Sequence, residues 1–217
     1  MMKNFKIGNK IIYSNSRRCF IIAEIGINHM GSFTLCKRMI KAACHAGADA
    51  VKLQTINIEE SYLPKTKSYK IFKNKSLNFK EMLHLSKYAK KIGIEFFSTP
   101  GDVSSYKVLK KIKVSAIKIS SGLMTNLPLI EIAAKDGFPL IISTGMAKLS
   151  EVDDAVKTAK KNGCKKIVIL KCTSIYPAPD NLLNLDSIKL LKERYNIPIG
   201  YSDHVIDDLN IQLVYYI

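Results

Sequence analysis

The chain has 217 residues, 47% of them hydrophobic, and a formal net charge of +16 at pH 7. It is long enough for one domain with a sizeable core. No apolar run approaches the ~20 residues that span a bilayer, and no apolar signal core follows the basic N-terminus. We therefore expect a cytoplasmic protein with no membrane partner.

The five cysteines and the positive charge exclude further classes of protein. No Cys-x-x-Cys pair is present, which indicates reduced thiols rather than a disulfide framework or a zinc site. The lysines are spread over every predicted helix, and no nucleic-acid module signature accompanies them. We expect no nucleic-acid partner, and a solvated basic exterior around a site for an anionic small molecule.

The hydrophobic pattern predicts strands and helices in strict alternation. Residues 5–14 predict a hairpin with its turn at Gly8-Asn9. Short apolar runs predict seven strands, at about 20–25, 50–55, 95–99, 116–120, 139–144, 166–173 and 198–201. Amphipathic stretches predict six helices, at about 33–46, 79–92, 102–112, 126–136, 150–162 and 185–195. Segment 56–78 is polar and lysine-rich and predicts a long irregular loop, which is often functional or mobile.

This alternation predicts a parallel α/β sheet with right-handed crossovers. An open doubly wound sheet would carry a G-x-G-x-x-G loop after its first strand, and that loop is absent. A barrel needs eight strands, and residues 205–217 show no convincing eighth. We predict a single-domain, incomplete TIM (β/α)8-type barrel over residues 1–217, preceded by the short hairpin.

Polar side chains stand where each predicted strand ends, which is where an α/β barrel builds its active site. Lys52 and Lys118 are cations in a predicted barrel wall, where an unpaired ammonium is costly. Short hydroxyls accompany them from other strands: Thr99, Ser121, Ser143, Ser174 and Ser202. Together these groups predict a cradle for a small phosphorylated carboxylic acid.

Other strand-end residues allow two interpretations each. His204, beside Asp203, is a candidate ligand for a divalent metal, or equally a satisfied surface histidine. Glu24 is a candidate to bind hydroxyls or move a proton, or it neutralises Lys52.

Gln54 and Tyr176 are candidates to bind a polyhydroxylated substrate, or they support residues that do. Asn28 and His29 are candidates to order a loop. For Cys172, packing is the favoured interpretation over a place in the site.

Nine motifs in one order resemble the sialic acid synthases, the family of N-acetylneuraminate synthase and its legionaminate and pseudaminate relatives. The resemblance covers about residues 5 to 204. The motifs are Ala23–His29 (AEIGINH), Gly47–Thr55 (GADAVKLQT), Ser98–Pro100 (STP), Lys118–Gly122 (KISSG), Thr125–Leu129 (TNLPL), Ser143–Ala147 (STGMA), Cys172–Ser174 (CTS), Tyr176–Pro179 (YPAP) and Gly200–His204 (GYSDH).

The resemblance implies a TIM barrel that condenses phosphoenolpyruvate with N-acetylmannosamine, or a related 2-acetamido sugar, and releases phosphate. It implies a divalent metal, Mn²⁺ or Mg²⁺, with His204 as one ligand. Residues implied to hold phosphoenolpyruvate are Lys52, Thr99, Lys118, Ser121, Ser143, Ser202 and Ser174, the last often Asn in the family. Glu24, Gln54 and Tyr176 are implied to hold the sugar and assist proton movement.

The sequence also departs from the family pattern. The family's second metal-binding His and its C-terminal antifreeze-like domain, which reaches over the partner's site in a homodimer, are not found. We therefore expect a truncated or frameshifted chain that is weakly active or inactive alone and prone to aggregate.

Several alternatives stay open. The Ala-Glu-Ile-Gly motif favours a neuraminate or legionaminate product over pseudaminate. Other interpretations are a Schiff-base barrel aldolase using Lys118 or Lys52, a remnant that binds phosphoenolpyruvate or sugar or binds nothing, and a basic nucleic-acid binder.

Overall fold

The structure, a computed structural model, describes residues 4–13 and 18–206. Within these ranges the strands are β1 (Phe5–Ile7), β2 (Lys10–Ile12), β3 (Ile22–Gly26), β4 (Ala50–Thr55), β5 (Glu95–Pro100), β6 (Ile117–Ile119), β7 (Leu140–Ser143), β8 (Ile167–Cys172) and β9 (Ile199–Ser202). The helices are α1 (Phe33–His45), α2 (Ile58–Ser61), α3 (Lys67–Phe72), α4 (Phe79–Ile92), α5 (Val103–Ile112), α6 (Leu127–Lys135), α7 (Leu149–Lys161) and α8 (Ser187–Tyr195). The predicted seven strands and six long helices are thereby confirmed, as is the N-terminal hairpin.

The chain divides into two compact units. Among the described residues, the N-terminal unit comprises Phe20–Ile117 with Ile7–Lys10, and the C-terminal unit comprises 118–206 with 4–6, 11–13 and 18–19. Strand β6 crosses this division, since Ile117 belongs to the first unit and Lys118 to the second.

In the N-terminal unit, β3, β4 and β5 are parallel and pair in chain order. Lys52 of β4 is opposite Glu24 and Phe97, and Gln54 is opposite Thr99. Side chains opposite each other in a parallel pair share one face, and alternate residues share it too. Helices α1, α4 and α5 pack in this unit around a buried apolar core that includes Ile40, Leu53, Leu85, Phe97 and Leu109.

The C-terminal unit repeats this design with β7, β8 and β9, which also pair in parallel. Ser143 is opposite Leu170, and Cys172 is opposite Ser202. Helices α6 and α7 pack together, and α8 packs on β8 and β9. The core includes Leu129, Ile130, Ile142, Val152, Ala155 and Ile169.

The long helices begin and end at the residues that the sequence marks. Asn78 caps α4 in a capping box with Glu81, whose side chain accepts from the Asn78 amide at 2.8 Å. Asp102 caps α5, and Asn126 caps α6 with Pro128 in its first turn. Gly93 ends α4 with φ of 84°, a left-handed conformation that glycine adopts without a Cβ penalty.

The expectation of an irregular loop over 56–78 is wrong, because α2 and α3 lie within it. Asn57 and Thr66 cap these helices through side-chain oxygens, and Tyr62 stacks on Phe72 with ring centroids 5.2 Å apart. Neither helix has a buried residue. They lack the apolar stripe by which a helix is recognised in sequence, so capping and local contacts form them instead.

The turn of the N-terminal hairpin contacts the N-terminal ends of the strands in its unit. The Asn9 amide donates to Glu95 Oε1 at 2.8 Å, and Lys10 Nζ lies 3.6 Å from Asp49 Oδ1. Among the described residues, none of the helices combines the length and hydropathy needed to cross a membrane.

Asp49 is the strongest candidate for a polar stability determinant in this region. It is buried, and its Oδ2 accepts from the Ile21 amide at 3.0 Å. Asp49→Ala leaves that amide without its acceptor, so we expect the free energy of unfolding in urea to fall by about 1–3 kcal/mol. Asp49→Asn keeps an acceptor oxygen and should lose less; equal losses for both variants would contradict this role.

Candidate functional site

In the N-terminal unit, Glu24 and Lys52 form a close ion pair midway along β3 and β4. Lys52 Nζ lies 2.9 Å from Glu24 Oε1 and 2.8 Å from Oε2. The Lys52 side chain is 4% exposed, whereas that of Glu24 is 55% exposed. The contact satisfies the buried ammonium, as the interpretation of Glu24 as a neutralising carboxylate requires. Because the Glu24 side chain is more than half exposed, its carboxylate is also accessible to a ligand.

A bulge in β3 sets the position of Glu24. The register of β3 on β4 shifts between Glu24 and Gly26, so that two residues of β3 advance against one of β4. Gly26 has a φ of 55°, and a Cβ there would approach Glu24 Oε1 to 3.3 Å. Bulges of this kind redirect side chains at sheet edges and beside active sites.

Thr99 and Gln54 lie on the same face as Lys52, one step nearer the carboxyl ends of the strands. The Thr99 hydroxyl is buried and has no hydrogen-bond partner among the described residues. A buried hydroxyl without a partner costs free energy in the ligand-free protein. It is therefore a site at which a ligand oxygen would be stabilised.

His29 orders the loop that follows β3. It is buried, and its Nδ1 accepts from the Gly31 amide at 3.1 Å, which assigns the ring proton to Nε2. Burial lowers the pKa of His29, and the nearby Glu81 opposes that shift only in part. The imidazole is therefore neutral near pH 7, as suits a loop-ordering residue.

In the C-terminal unit, Lys118 donates to Ser143 Oγ at 2.5 Å and to the Ile119 carbonyl at 3.3 Å. Both side chains are buried, Lys118 being 6% exposed. A buried ammonium bonded to a hydroxyl presents positive charge in a low-dielectric setting, where an anion is bound strongly.

Gly145 brings Ser121 and Ser174 together in the same unit. It has a φ of 50°, and a Cβ built on it would clash with the Ser121 side chain and lie 2.5 Å from Ser174 Oγ. The Ser174 hydroxyl has no partner among the described residues. The two serines thus converge on a backbone without a side chain, an arrangement suited to small anionic groups.

His204 is held in one orientation and one tautomer. Its Nδ1 lies 2.6 Å from the Thr173 carbonyl and must donate to it, which leaves the Nε2 lone pair for another partner. Tyr176 stacks on the ring with centroids 3.9 Å apart. Asp203, by contrast, accepts from the Val205 amide and so orders its own turn. A ring N–H bonded to a backbone carbonyl is typical of metal-ligating histidines.

Cys172 lies among these residues, although packing was the favoured interpretation. Its Sγ is 3.9 Å from both nitrogens of His204, and Ser202 is opposite it on β9. Burial raises the pKa of Cys172, but the contacts with His204, Lys118 and Ser202 outweigh burial and leave the pKa below the ordinary thiol value. For His204, burial lowers the pKa, but the contacts with Cys172 and the Thr173 carbonyl leave it raised.

Sequence reasoning missed Lys171, a third buried lysine in a strand. Because Ser143 is opposite Leu170, Lys171 lies on the face of β8 opposite to the Lys118–Ser143 pair. It is 8% exposed and donates to Thr173 Oγ1 at 2.6 Å. Burial lowers its pKa. The alternation of side chains along β8, read from the pairing of Ser143 with Leu170, distinguishes Lys171 from Lys118.

Among the site residues named above, His204 is the one candidate metal ligand. Within residues 4–13 and 18–206, no group of three or more His, Cys, Asp or Glu has the geometry to hold a metal ion. The fixed tautomer of His204 fits one ligand position. The remaining positions of a catalytic metal are commonly filled by water and substrate.

Comparison with known proteins decides the family. The model of the NeuB family matches residues 39–214. The chain belongs to the NeuB family. The family predicted from the motifs is thereby confirmed.

Relatives of this NeuB-family chain include nonulosonic acid synthases. It is 44% identical over 205 residues to a protein of Methanocaldococcus jannaschii, covering 94% of this chain and 60% of that protein. It is 37% identical over 204 residues to the N,N'-diacetyllegionaminic acid synthase of Campylobacter jejuni, covering 87% of this chain and 61% of the synthase. The chain thus spans about three fifths of the length of these relatives.

A solved structure confirms the fold class. The N-acetylneuraminic acid synthetase of Leptospira borgpetersenii matches with a TM-score of 0.92 and 38% identity, over 99% of this chain and 74% of that one. This NeuB-family chain accordingly has the fold of a TIM-barrel-like synthetase, with seven parallel strands and a short N-terminal hairpin.

Gly145 provides a test of the serine arrangement. Gly145→Ala forces a left-handed alanine and a clash with Ser121 and Ser174, so we expect a loss of unfolding free energy of about 2–4 kcal/mol. Gly137→Ala is the matched control, because Gly137 has a φ of 78° but open space around its Cβ position. Gly137→Ala should lower the free energy of unfolding by only about 1–2 kcal/mol, the cost of a left-handed alanine backbone. Equal losses in urea unfolding would show that Ser121 and Ser174 are not held against Gly145.

Proposed function

We propose that this chain catalyses the NeuB-type reaction, in which phosphoenolpyruvate condenses with a 2-acetamido sugar to give a nonulosonic (sialic) acid and phosphate. The sugar we propose is N-acetylmannosamine or a related 2-acetamido sugar. The observation that carries the proposal is the buried Lys118–Ser143 pair, with Ser121 and Ser174 converging on Gly145 in the same unit. Relatives named as sialic and legionaminic acid synthases support it.

The residues of the C-terminal unit are assigned to the anionic groups of phosphoenolpyruvate. Lys118 supplies the charge, and Ser121, Ser143 and Ser174 supply hydroxyl donors from separate strand ends. Ser202, opposite Cys172 on the same face, extends this set. Charge-assisted hydrogen bonds from such groups are stronger than neutral ones and fix the orientation of the phosphate and carboxylate.

For the N-terminal unit, roles stay predictions from the motifs. Lys52 and Thr99 are predicted to bind phosphoenolpyruvate, and the unpartnered Thr99 hydroxyl supports this. Glu24 and Gln54 are predicted from their motifs to bind sugar hydroxyls, and the same role is predicted for Tyr176. Glu24 is also the candidate to move a proton, because its carboxylate is more than half exposed.

The proposed reaction forms one carbon–carbon bond and breaks the C2–O bond to phosphate. C3 of phosphoenolpyruvate forms a bond to the aldehyde carbon of the open-chain sugar, whose oxygen takes a proton and becomes a hydroxyl. Water adds to the oxocarbenium at C2 and loses a proton. The C2–O bond to phosphate then breaks while the C2 hydroxyl passes its proton to the departing phosphate, which releases inorganic phosphate and leaves the keto acid. Lys118 and its neighbouring serines would stabilise the phosphate charge throughout.

A divalent metal, Mn²⁺ or Mg²⁺, is the proposed cofactor. His204 would hold it through Nε2, since Nδ1 donates to the Thr173 carbonyl. When bound, such an ion polarises a carbonyl as a Lewis acid. An imidazole ligand suits Mn²⁺ better than Mg²⁺, which prefers oxygen ligands.

Lys118 is tested against Lys171, the other strand lysine of the same unit. Lys118→Met should weaken phosphoenolpyruvate binding about 10- to 100-fold in calorimetry, as expected for the loss of a buried charged hydrogen-bond donor. Lys171→Met lies on the opposite face and should leave the dissociation constant within about twofold. Circular dichroism checks that both variants are folded.

Phosphate release from phosphoenolpyruvate and N-acetylmannosamine then tests turnover, in parallel with other 2-acetamido sugars. Release that depends on the sugar and stops with chelator supports the proposed reaction and identifies the sugar. A covalent pyruvate adduct trapped on Lys118 or Lys52 by borohydride would instead establish a Schiff-base aldolase and contradict the proposal.

The metal assignment has its own test. His204→Asn keeps a donor where Nδ1 stands but removes Nε2, so Mn²⁺ affinity measured by electron paramagnetic resonance should fall about tenfold or more. His84→Asn, on helix α4 of the other unit, is the control and should bind as the unaltered chain does. Unchanged Mn²⁺ affinity in His204→Asn would remove His204 from the metal site.

A further inference from the structure

Asp102 makes more hydrogen bonds than a helix cap requires. Its Oδ1 accepts from the Ser105 amide at 2.7 Å, which is the capping bond of α5. Its Oδ2 accepts from the Asn57 amide at 2.7 Å, from Ser61 Oγ at 3.0 Å and from Ser105 Oγ at 2.9 Å. Oδ1 therefore caps helix α5, whereas Oδ2 joins Ser105 of that helix to the segment after β4.

The Asn57 bond extends the pairing of β4 and β5 beyond the strands themselves. The last paired residues are Thr55 and Pro100, and the Gly101 amide then donates to the Thr55 carbonyl at 2.8 Å. The next bond runs from the Asn57 amide to the Asp102 side chain. A carboxylate oxygen thus takes the place of the backbone carbonyl that a longer strand would supply.

Gly101 permits this close approach. A Cβ at Gly101 would lie 3.1 Å from Ile56 Cγ1 and 3.4 Å from Ser61 Oγ, both in the segment that Asp102 holds. On the opposite face of the two strands, Thr55 Oγ1 and Ser98 Oγ form a further link at 2.8 Å. The backbone pairing, the hydroxyl bond between Thr55 and Ser98, and the bond from Asn57 to the Asp102 carboxylate together fix the ends of β4 and β5 against each other.

Two of the candidate ligand-binding residues of this unit, Gln54 and Thr99, lie directly beside these links. Gln54 and Thr99 are opposite each other, directly before Thr55 and Pro100. The Thr99 hydroxyl is buried without a partner among the described residues, so it offers a hydrogen bond to something that is not protein. A shift of either strand end would move it relative to a bound molecule, and small displacements at such groups weaken binding steeply.

We propose that Asp102 is a positioning residue, whose Oδ2 holds segment 56–61 to the end of β5 and so fixes Gln54 and Thr99 for ligand binding. The identity of the ligands, phosphoenolpyruvate at Thr99 and the sugar at Gln54, rests on the proposed function. The bond between Asn57 and Asp102 does not depend on that function.

Asp102→Asn separates the two oxygens. An asparagine is as good an N-cap as an aspartate, so its oxygen keeps the Ser105 bond, while its NH₂ group cannot accept from Asn57. We expect hydrogen exchange of the Asn57 amide to accelerate on the order of tenfold, with Ser105 exchange unchanged. We expect the dissociation constant for phosphoenolpyruvate to rise about three- to tenfold, and in turnover KM to rise with kcat within about twofold.

Asn78→Ala is the matched control, because Asn78 caps α4 of the same unit through the Glu81 amide. It should lower the unfolding midpoint without changing phosphoenolpyruvate affinity. Ser61→Ala is a milder second variant that removes one bond to Oδ2, and it should weaken affinity in the same direction.

Three outcomes would overturn the proposal. Unchanged Asn57 exchange in Asp102→Asn would show that the carboxylate does not hold the segment. Faster exchange with unchanged affinity would show that Asp102 does not position the ligand groups. Failure of the unaltered chain to bind phosphoenolpyruvate would contradict the proposed function and the ligand role together, while the exchange result would still decide whether the bond to Asn57 exists.

Discussion

The register of parallel strands is the constraint on which the candidate site depends. Opposite residues in a parallel pair point to one face, and a slip by one residue would reverse every side chain. In the N-terminal unit the register places Glu24 opposite Lys52, and Gln54 opposite Thr99. In the C-terminal unit it places Ser202 opposite Cys172. Chemistry-bearing side chains therefore meet although they are far apart in sequence.

Three buried lysines offset the free-energy cost of burying an ammonium group with three different partners. Lys52 has a carboxylate partner, Lys118 has a serine hydroxyl, and Lys171 has a threonine hydroxyl on the other face of its strand. A carboxylate neutralises an ammonium, whereas a hydroxyl satisfies one of its hydrogen bonds without neutralising it. Lys52, beside a carboxylate, and Lys118, beside a hydroxyl, thus offer an anion different surroundings.

Sequence patterns predicted the strands well because each is an apolar run that ends at a polar residue. They failed over residues 56–78, where α2 and α3 bury nothing and so show no apolar period. They identified the polar strand-end residues but not their partners. The sequence allows Glu24 either to neutralise Lys52 or to act on a ligand, and the contact with Lys52 is a feature of the folded chain. The dual bonding of Asp102 had no signal beyond that of a helix cap.

The tautomer of His204 illustrates why such partners escape a sequence pattern. The residue type predicts a metal ligand or a surface histidine equally well. What decides the available nitrogen is the carbonyl of Thr173, a backbone group that every residue has. Thr173 in turn is fixed through its hydroxyl, which accepts from Lys171 and donates to the Leu182 carbonyl. The imidazole is thus oriented by a backbone carbonyl, while Lys171, on the other face of β8, bonds only the side chain of the same threonine and its neighbouring carbonyl.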